Sequence, residues 1–184
     1  MQRRTWVLAV AIVCAAAAIE LAMGRHAICT CGTVDLWVGQ RDSAKTSQML
    51  ADWYSFSHVV HGLLFYAALW LVARRSPVGW RFVAAVLVEA AWEVTENTPW
   101  IIDRYRATTA AVGYSGDSVV NSVSDILMMA LGFLLARKLP LWAAVLLLLA
   151  LEIIPLLAIR DNLALNLLAL IAPSRAVQAW QGGL

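Results

Sequence analysis

Five apolar stretches, each long enough to cross a bilayer, alternate with polar breaks along the chain: Trp6 to Met23, Tyr54 to Ala73, Trp80 to Glu96, Val119 to Ala136 and Leu139 to Ile159. In three of them polar residues return at helical spacing. Asp117, Asn121 and Asp125 recur every fourth residue, and their stripe continues through Met128 to Gly132. Glu89, Glu93 and Glu96 stand at i, i+4 and i+7, and Pro99 marks where their helix should stop. His58 and His61, three apart, are neighbours on one face near the start of the second stretch. Ionisable groups facing lipid are costly, so all three faces are expected to turn inward.

Depth joins these faces. At about 1.5 Å of rise per residue, with Tyr54, Asn97 and Asp117 as helix ends, the two histidines lie about 6 and 10 Å down, Glu93 and Glu89 about 6 and 12 Å, and Asn121 and Asp125 about 6 and 12 Å. One slab holds them all. The economical arrangement is a single polar cavity open on one side of the membrane, with Arg160 and Asp161 at its rim. Three glutamates on one stripe repel one another and require raised pKa values, a cation or basic partners, for which the histidines, Arg104 and Arg106 are candidates.

The fold expected is therefore an all-α membrane protein, one integral domain over residues 1–184 forming a bundle of about five transmembrane helices. Leu163 to Ala172 is too short to cross and reads as an interfacial or re-entrant helix. Ile101 to Arg106 reads as an external connecting segment, and Pro155 as a kink in the fifth span. No internal repeat is visible.

Composition agrees: 61% of the 184 residues are hydrophobic and 14% charged, against roughly 25% charged in a typical soluble domain. The net charge of +2 does not point to nucleic acid, because basic residues sit at span ends without a run or interleaved aromatics. Arg3, Arg4, Arg74, Arg75, Arg81, Arg137 and Lys138 crowd three short segments, whereas the other basic residues spread over longer ones. That density places the N-terminus in the cytoplasm and the C-terminus outside. The first stretch follows Arg3 and Arg4 as a signal peptide would, yet Glu20, Leu21 and Met23 make a poor cleavage site, so it is expected to be retained. Val13 before Cys14 argues against a lipoprotein site.

The segment GRHAICTCG, Gly24 to Gly32, offers His26, Cys29 and Cys31 as metal ligands. One intervening residue makes the two cysteines a poor structural zinc pair and a strained disulfide, and three cysteines do not form a disulfide framework. Cys14 reads as a small residue of the first helix.

Taken together, GRHAICTCG, DWYSFSHVVHG, WEVTENTPWIIDRYR, GDSVVNSVSD and RDNLALN resemble a bacterial family of uncharacterised multi-pass inner-membrane proteins, over almost everything from Gly24 to Trp180. The resemblance implies a location in the bacterial inner membrane and supplies no activity. One departure is Met49, where relatives are expected to carry histidine; this makes Met49 a poor ligand. More distantly, the glutamate helix followed by Asp117, Asn121, Asp125 and Gly132 is similar to VanZ-like membrane proteins, and NSVSD to a motif of lipoprotein signal peptidases.

Three functions compete. The first is an intramembrane hydrolase or transferase acting on a lipid-like substrate. In it His58, His61, Glu93 and Glu96 hold a divalent, zinc-like metal, while Asp117, Asn121, Asp125 and Glu89 do the catalytic work and Arg104, Arg106 and Arg160 clamp an anionic head group. A metal-free variant uses the carboxylates as a pair sharing a proton. The second is a non-enzymatic assembly or structural protein in which polar residues fasten helices. The third is a proton-coupled transporter, disfavoured because the cytoplasmic halves of the spans hold almost no polar residues.

Overall fold

The computed structural model describes residues 2–109 and 113–183, and eight helices lie among them. They are α1 (Arg3–Ala22), α2 (Ser55–Ala73), α3 (Val78–Glu96), α4 (Pro99–Thr108), α5 (Val119–Lys138), α6 (Leu141–Ile159), α7 (Leu163–Ile171) and α8 (Arg175–Gly182). Among the described residues no strand forms; one isolated bridge joins Val38 and Asp52. The fold is all-α, as the periodicity requires.

Four helices, α1, α2, α5 and α6, are long and apolar enough to cross a membrane. The fifth expected span, α3, has the length, at 19 residues, but carries Arg81, Glu89, Glu93 and Glu96. By length it could cross a bilayer, but in apolarity it falls short of the other four. Glu89 and Glu93 are buried within the bundle, which hides their cost from any apolar surroundings.

The centre of the bundle is α2 against α5, flanked by α3 and α1. Two glycines set how closely α2 and α5 approach. A Cβ on Gly62 would overlap the carbonyl of Met129, and one on Gly132 would overlap that of Val59. Such backbone proximity is open only to the smallest residues. Around it Phe82, Met129 and Phe133 are fully enclosed, with Phe133 edge-on to Tyr66 and to Phe82. Alanines of α1 complete this core, and Thr5 fits against Gly79 of α3.

Two elements differ from expectation. The glutamate helix stops just before Pro99, at Glu96, as expected, but Pro99 also occupies the first turn of a new helix, α4, where its missing N–H costs no bond. The segment read as an external connection, Ile101 to Arg106, lies inside that helix. Beyond α6, which continues through Pro155 to Ile159, the expected short helix appears as α7 and is followed by α8. Glu152 of α6 accepts the Leu163 and Ala164 N–H groups and the Asn162 side chain accepts Leu165 N–H, so the exposed donors at the start of α7 are satisfied.

Residues 24–53 fold onto the end of the bundle. The carbonyls of His26 and Ala27 accept the Val119 and Val120 N–H groups at the start of α5, and Ser47 O accepts Ser118 N–H. Cys29 and Cys31 are joined in a disulfide. Their sulfurs are therefore not free thiolates for a metal, and the Cys29 side chain packs with Val38 and Met49. Cys14 is exposed on α1.

Candidate functional site

Three helices bring the polar faces together beneath this segment. His58 and His61 of α2 both turn Nδ1 to one carboxylate, Glu89 of α3, at 2.6 and 3.0 Å from its Oε1. His61 Nδ1 is also 3.1 Å from Oε2. Glu93, one turn further along α3, has Oε1 3.3 Å from His58 Nδ1. On the opposite side of the same ring, His58 Nε2 faces Asp125 Oδ2 of α5 at 3.7 Å, and Asp125 Oδ1 accepts the Ser55 hydroxyl at 2.9 Å. The glutamate stripe thus finds the basic partners it needs in the histidines. His61 in turn stacks on Phe65 at a centroid distance of 5.6 Å.

His58, His61 and Glu89 each offer a ligand atom within 4.8 Å of the others, a set able to hold a metal ion. The arrangement is that of two imidazole nitrogens and one carboxylate oxygen, a donor set suited to zinc and similar divalent ions. His58 has a carboxylate facing each nitrogen, Glu89 at 2.6 Å from Nδ1 and Asp125 at 3.7 Å from Nε2, the second beyond hydrogen-bond reach.

The structure groups the expected ligands differently from the sequence reading. Glu89, expected among the catalytic carboxylates, is the one that meets both histidines, while Glu93 touches His58 alone and Glu96 lies further along the wall of a cavity. That cavity, of about 1340 Å³, is lined by His58, His61, Glu89, Glu96, Asp117 and Asp125 among others.

Asp117 and Asn121 are fastened to their surroundings. Asn97 donates Nδ2 to Asp117 Oδ2 at 3.0 Å and accepts the Asp117 N–H at 2.7 Å, Tyr114 donates its hydroxyl to the same carboxylate, and Arg25 bonds the Asp117 carbonyl. Burial raises the Asp117 pKa to about 6. Asn121 donates Nδ2 to the Met49 carbonyl at 2.9 Å, and the Met49 side chain is buried.

The three arginines expected at a head group do not line the cavity. Arg104 donates to the Leu170 carbonyl, Arg106 to the Tyr114 carbonyl, and Arg160 to the Trp180 carbonyl while lying over the Trp180 ring. The arginines at the cavity are Arg25 and Arg41. Arg41 ties residues 24–53 to the ends of α6 and α8 by donating to the Ile159 and Gln181 carbonyls. Asp161 does line the cavity, accepting from Tyr54, Asn162, Asn166 and Gln181, and burial raises its pKa to about 6. Of the expected rim pair, Asp161 alone reaches the cavity wall.

Sequence spacing missed Asp52, Ser55, Asn97 and Arg41 as parts of this region. Asp52 accepts the Ser47 and Tyr54 N–H groups, and burial raises its pKa. Its place just before the histidine helix, in DWYSFSH, was the available signal, as a helix-start carboxylate.

Fold and site together define an all-α bundle of apolar helices built around a buried histidine, glutamate and aspartate centre. The chain belongs to an uncharacterised family: the model described as "Protein of unknown function (DUF2585)" matches residues 20–183. A "UPF0314 protein" of Paracoccus denitrificans is 57% identical over 162 residues, covering 88% of this chain and 84% of the relative. The "UPF0314 protein" of Sphingopyxis alaskensis is 50% identical over 185 residues, covering 100% and 97%. That of Novosphingobium aromaticivorans is 54% identical over 171 residues, covering 90% and 86%. No solved structure matches. A resemblance to VanZ-like proteins is not among what these matches show.

Proposed function

We propose that this protein is a multi-pass protein of the bacterial inner membrane that uses a divalent metal to hydrolyse or transfer a group on a lipid-like substrate. The observation that carries the reading is the convergence of His58, His61 and Glu89 on one point at the wall of a large cavity. Interhelical hydrogen bonds in membranes average about 0.6 kcal/mol and reach about 2 kcal/mol, so fastening alone is a weak reason to enclose two histidines and three carboxylates.

Bound there, a divalent ion supplies a Lewis acid and makes water a nucleophile near neutral pH. The chain's own residues do the rest. His58 and His61 would present Nδ1 to the ion, Asp125 stands 3.7 Å from Nε2 of His58 where its negative charge favours the ring's donor form, and Glu96, on the cavity wall, is placed to exchange a proton with a bound molecule. Asp117 and Asn121 serve to fasten the 24–53 segment and Asn97 to the start of α5. The start of α5, the 24–53 segment and the cavity then face the periplasm, with the N-terminus in the cytoplasm and the C-terminus outside. A reporter active only in the cytoplasm, fused after Leu184, should stay silent; strong signal there reverses the orientation or adds a crossing.

The activity is tested by incubating zinc-loaded protein with vesicles of total bacterial lipid and measuring released phosphate and fatty acid. Release that is lost with chelator and in Glu89→Gln is the expected result. Equal release from Glu89→Gln protein, or none from the parent, contradicts the enzyme reading.

A further inference from the structure

The cavity has two unlike sides. Toward residues 24–53 its wall is polar, with Arg25, Arg41, Ser47 and Gln48. Beside the histidines it is apolar: Leu64 and Phe65 follow His61 by three and four residues on α2, Val88 and Trp92 flank Glu89 on α3, and Leu167 and Leu170 come from α7. Leu64, Val88 and Leu167 are 45%, 53% and 46% exposed, so they line the cavity and also reach the outside of the bundle. Lining residues half exposed on three different helices mark a side opening. Where α2 crosses a bilayer, the surroundings of such an opening are hydrocarbon and not water.

We propose that the cavity opens sideways into the bilayer between α2, α3 and α7 and admits the hydrocarbon chain of a membrane lipid, whose head group lies against the histidine and glutamate centre. The occupant follows from the wall. Five of these six side chains have no hydrogen-bonding group and Trp92 adds a single donor, too little for the repeated N–H and C=O groups of an extended peptide, which need satisfaction at that depth, whereas an acyl or prenyl chain has no such groups. The polar ceiling of Ser47, Gln48 and the two arginines, whose guanidinium groups are held by the Asp117, Ile159 and Gln181 carbonyls, suits the polar end of the same molecule. The inference rests on the cavity being the substrate site and names which bond is in reach: one at the junction of a long apolar chain and a polar head.

The test uses full-length protein in vesicles of phosphatidylcholine and phosphatidylglycerol containing a trace of phosphatidylglycerol with a mid-chain diazirine. After irradiation, labelled positions are mapped by peptide mass spectrometry. Labelling of Leu64, Phe65, Leu167 and Leu170 should exceed several-fold that of Val72 and Leu157, which are more exposed, at 82% and 78%. Val88→Trp and Leu167→Trp, both at exposed positions where a larger ring does not enter the core, should each bring labelling of Leu64 and Phe65 down to the level of Val72. Equal labelling of all six positions, or labelling untouched by both tryptophans in proteins that melt like the parent, overturns the proposal. Labelling needs neither metal nor turnover. A protein that binds no metal yet gives the expected pattern contradicts the enzyme reading and keeps this one.

Discussion

The two halves of the bundle hold the same helices together by different means. From directly beneath the histidines toward Arg74, Arg75 and Arg137, α2 meets α5 through Gly62 and Gly132, and the space around them is filled by Phe82, Met129 and Phe133. The charged side chain of α3 in that half, Arg81, lies over the Tyr66 ring at 5.8 Å. In the other half α2, α3 and α5 meet through His58, Glu89, Glu93, Asp125 and Ser55. Small residues and ring packing suffice to dock these helices, as the first half demonstrates. The polar half therefore contains more ionisable groups than docking needs, and this surplus is what the functional reading explains.

The comparison breaks most visibly at the glycine contact. Gly132→Leu should cost at least about 3 kcal/mol, because its side chain meets the Val59 carbonyl and backbone cannot step aside as a side chain can. Thermal unfolding in detergent and the yield of monodisperse protein measure it; an unchanged melting temperature would remove the packing half of the argument. Asp125→Asn sharpens the contrast from the other side. It should fold and melt close to the parent yet weaken metal binding by about 10- to 100-fold, the usual effect of losing the carboxylate behind a ligating histidine. It should then fail to complement a deletion strain, and full complementation would end any functional role for this carboxylate.

Arg41→Ala tests whether residues 24–53 are fastened as part of the polar half. Losing its bonds to Ile159 O and Gln181 O should cost about 1.5 kcal/mol, with limited proteolysis now cutting within 24–53. The smallest effect expected is a pH dependence. Burial holds the Asp161 pKa up at about 6, from an ordinary 3.8, so between those values the folded protein keeps a proton that the unfolded chain has released. Stability from this group is fully present below about pH 4 and is lost as pH rises through about 6. Melting curves from pH 4 to pH 7 should show the parent losing stability relative to Asp161→Asn. Asp117, raised to about 6 in the same way, leaves a residual slope in both proteins.

Period and depth carried much of this into the sequence. The long helices follow from apolar length, and the convergence of three inward faces in one slab follows from their depth, although the depths set His58 level with Glu93 and Asn121 while it meets Glu89 and Asp125. What spacing along one helix cannot give is which carboxylate stands opposite which histidine. Glu89 and Glu93 differ by one turn, and the choice falls to the relative shift of α2 and α3, set by packing. Likewise Arg104, Arg106 and Arg160 read as free cations because the carbonyls they bond belong to Leu170, Tyr114 and Trp180, and backbone acceptors leave no trace in residue type. Pro99 marked the end of α3 correctly, but the helix it starts was not legible beside it, because proline stops one helix and starts the next equally well.

A single metal site made by His58, His61 and Glu89 should show itself in metal content. Detergent-purified protein is dialysed to equilibrium against buffered zinc and the bound ion counted beside Glu89→Gln, Glu96→Gln and the His58→Ala, His61→Ala double variant. Stoichiometric zinc is expected in the parent and in Glu96→Gln, and background levels in the other two. Stoichiometric zinc persisting in the double variant, or none in the parent, would contradict it.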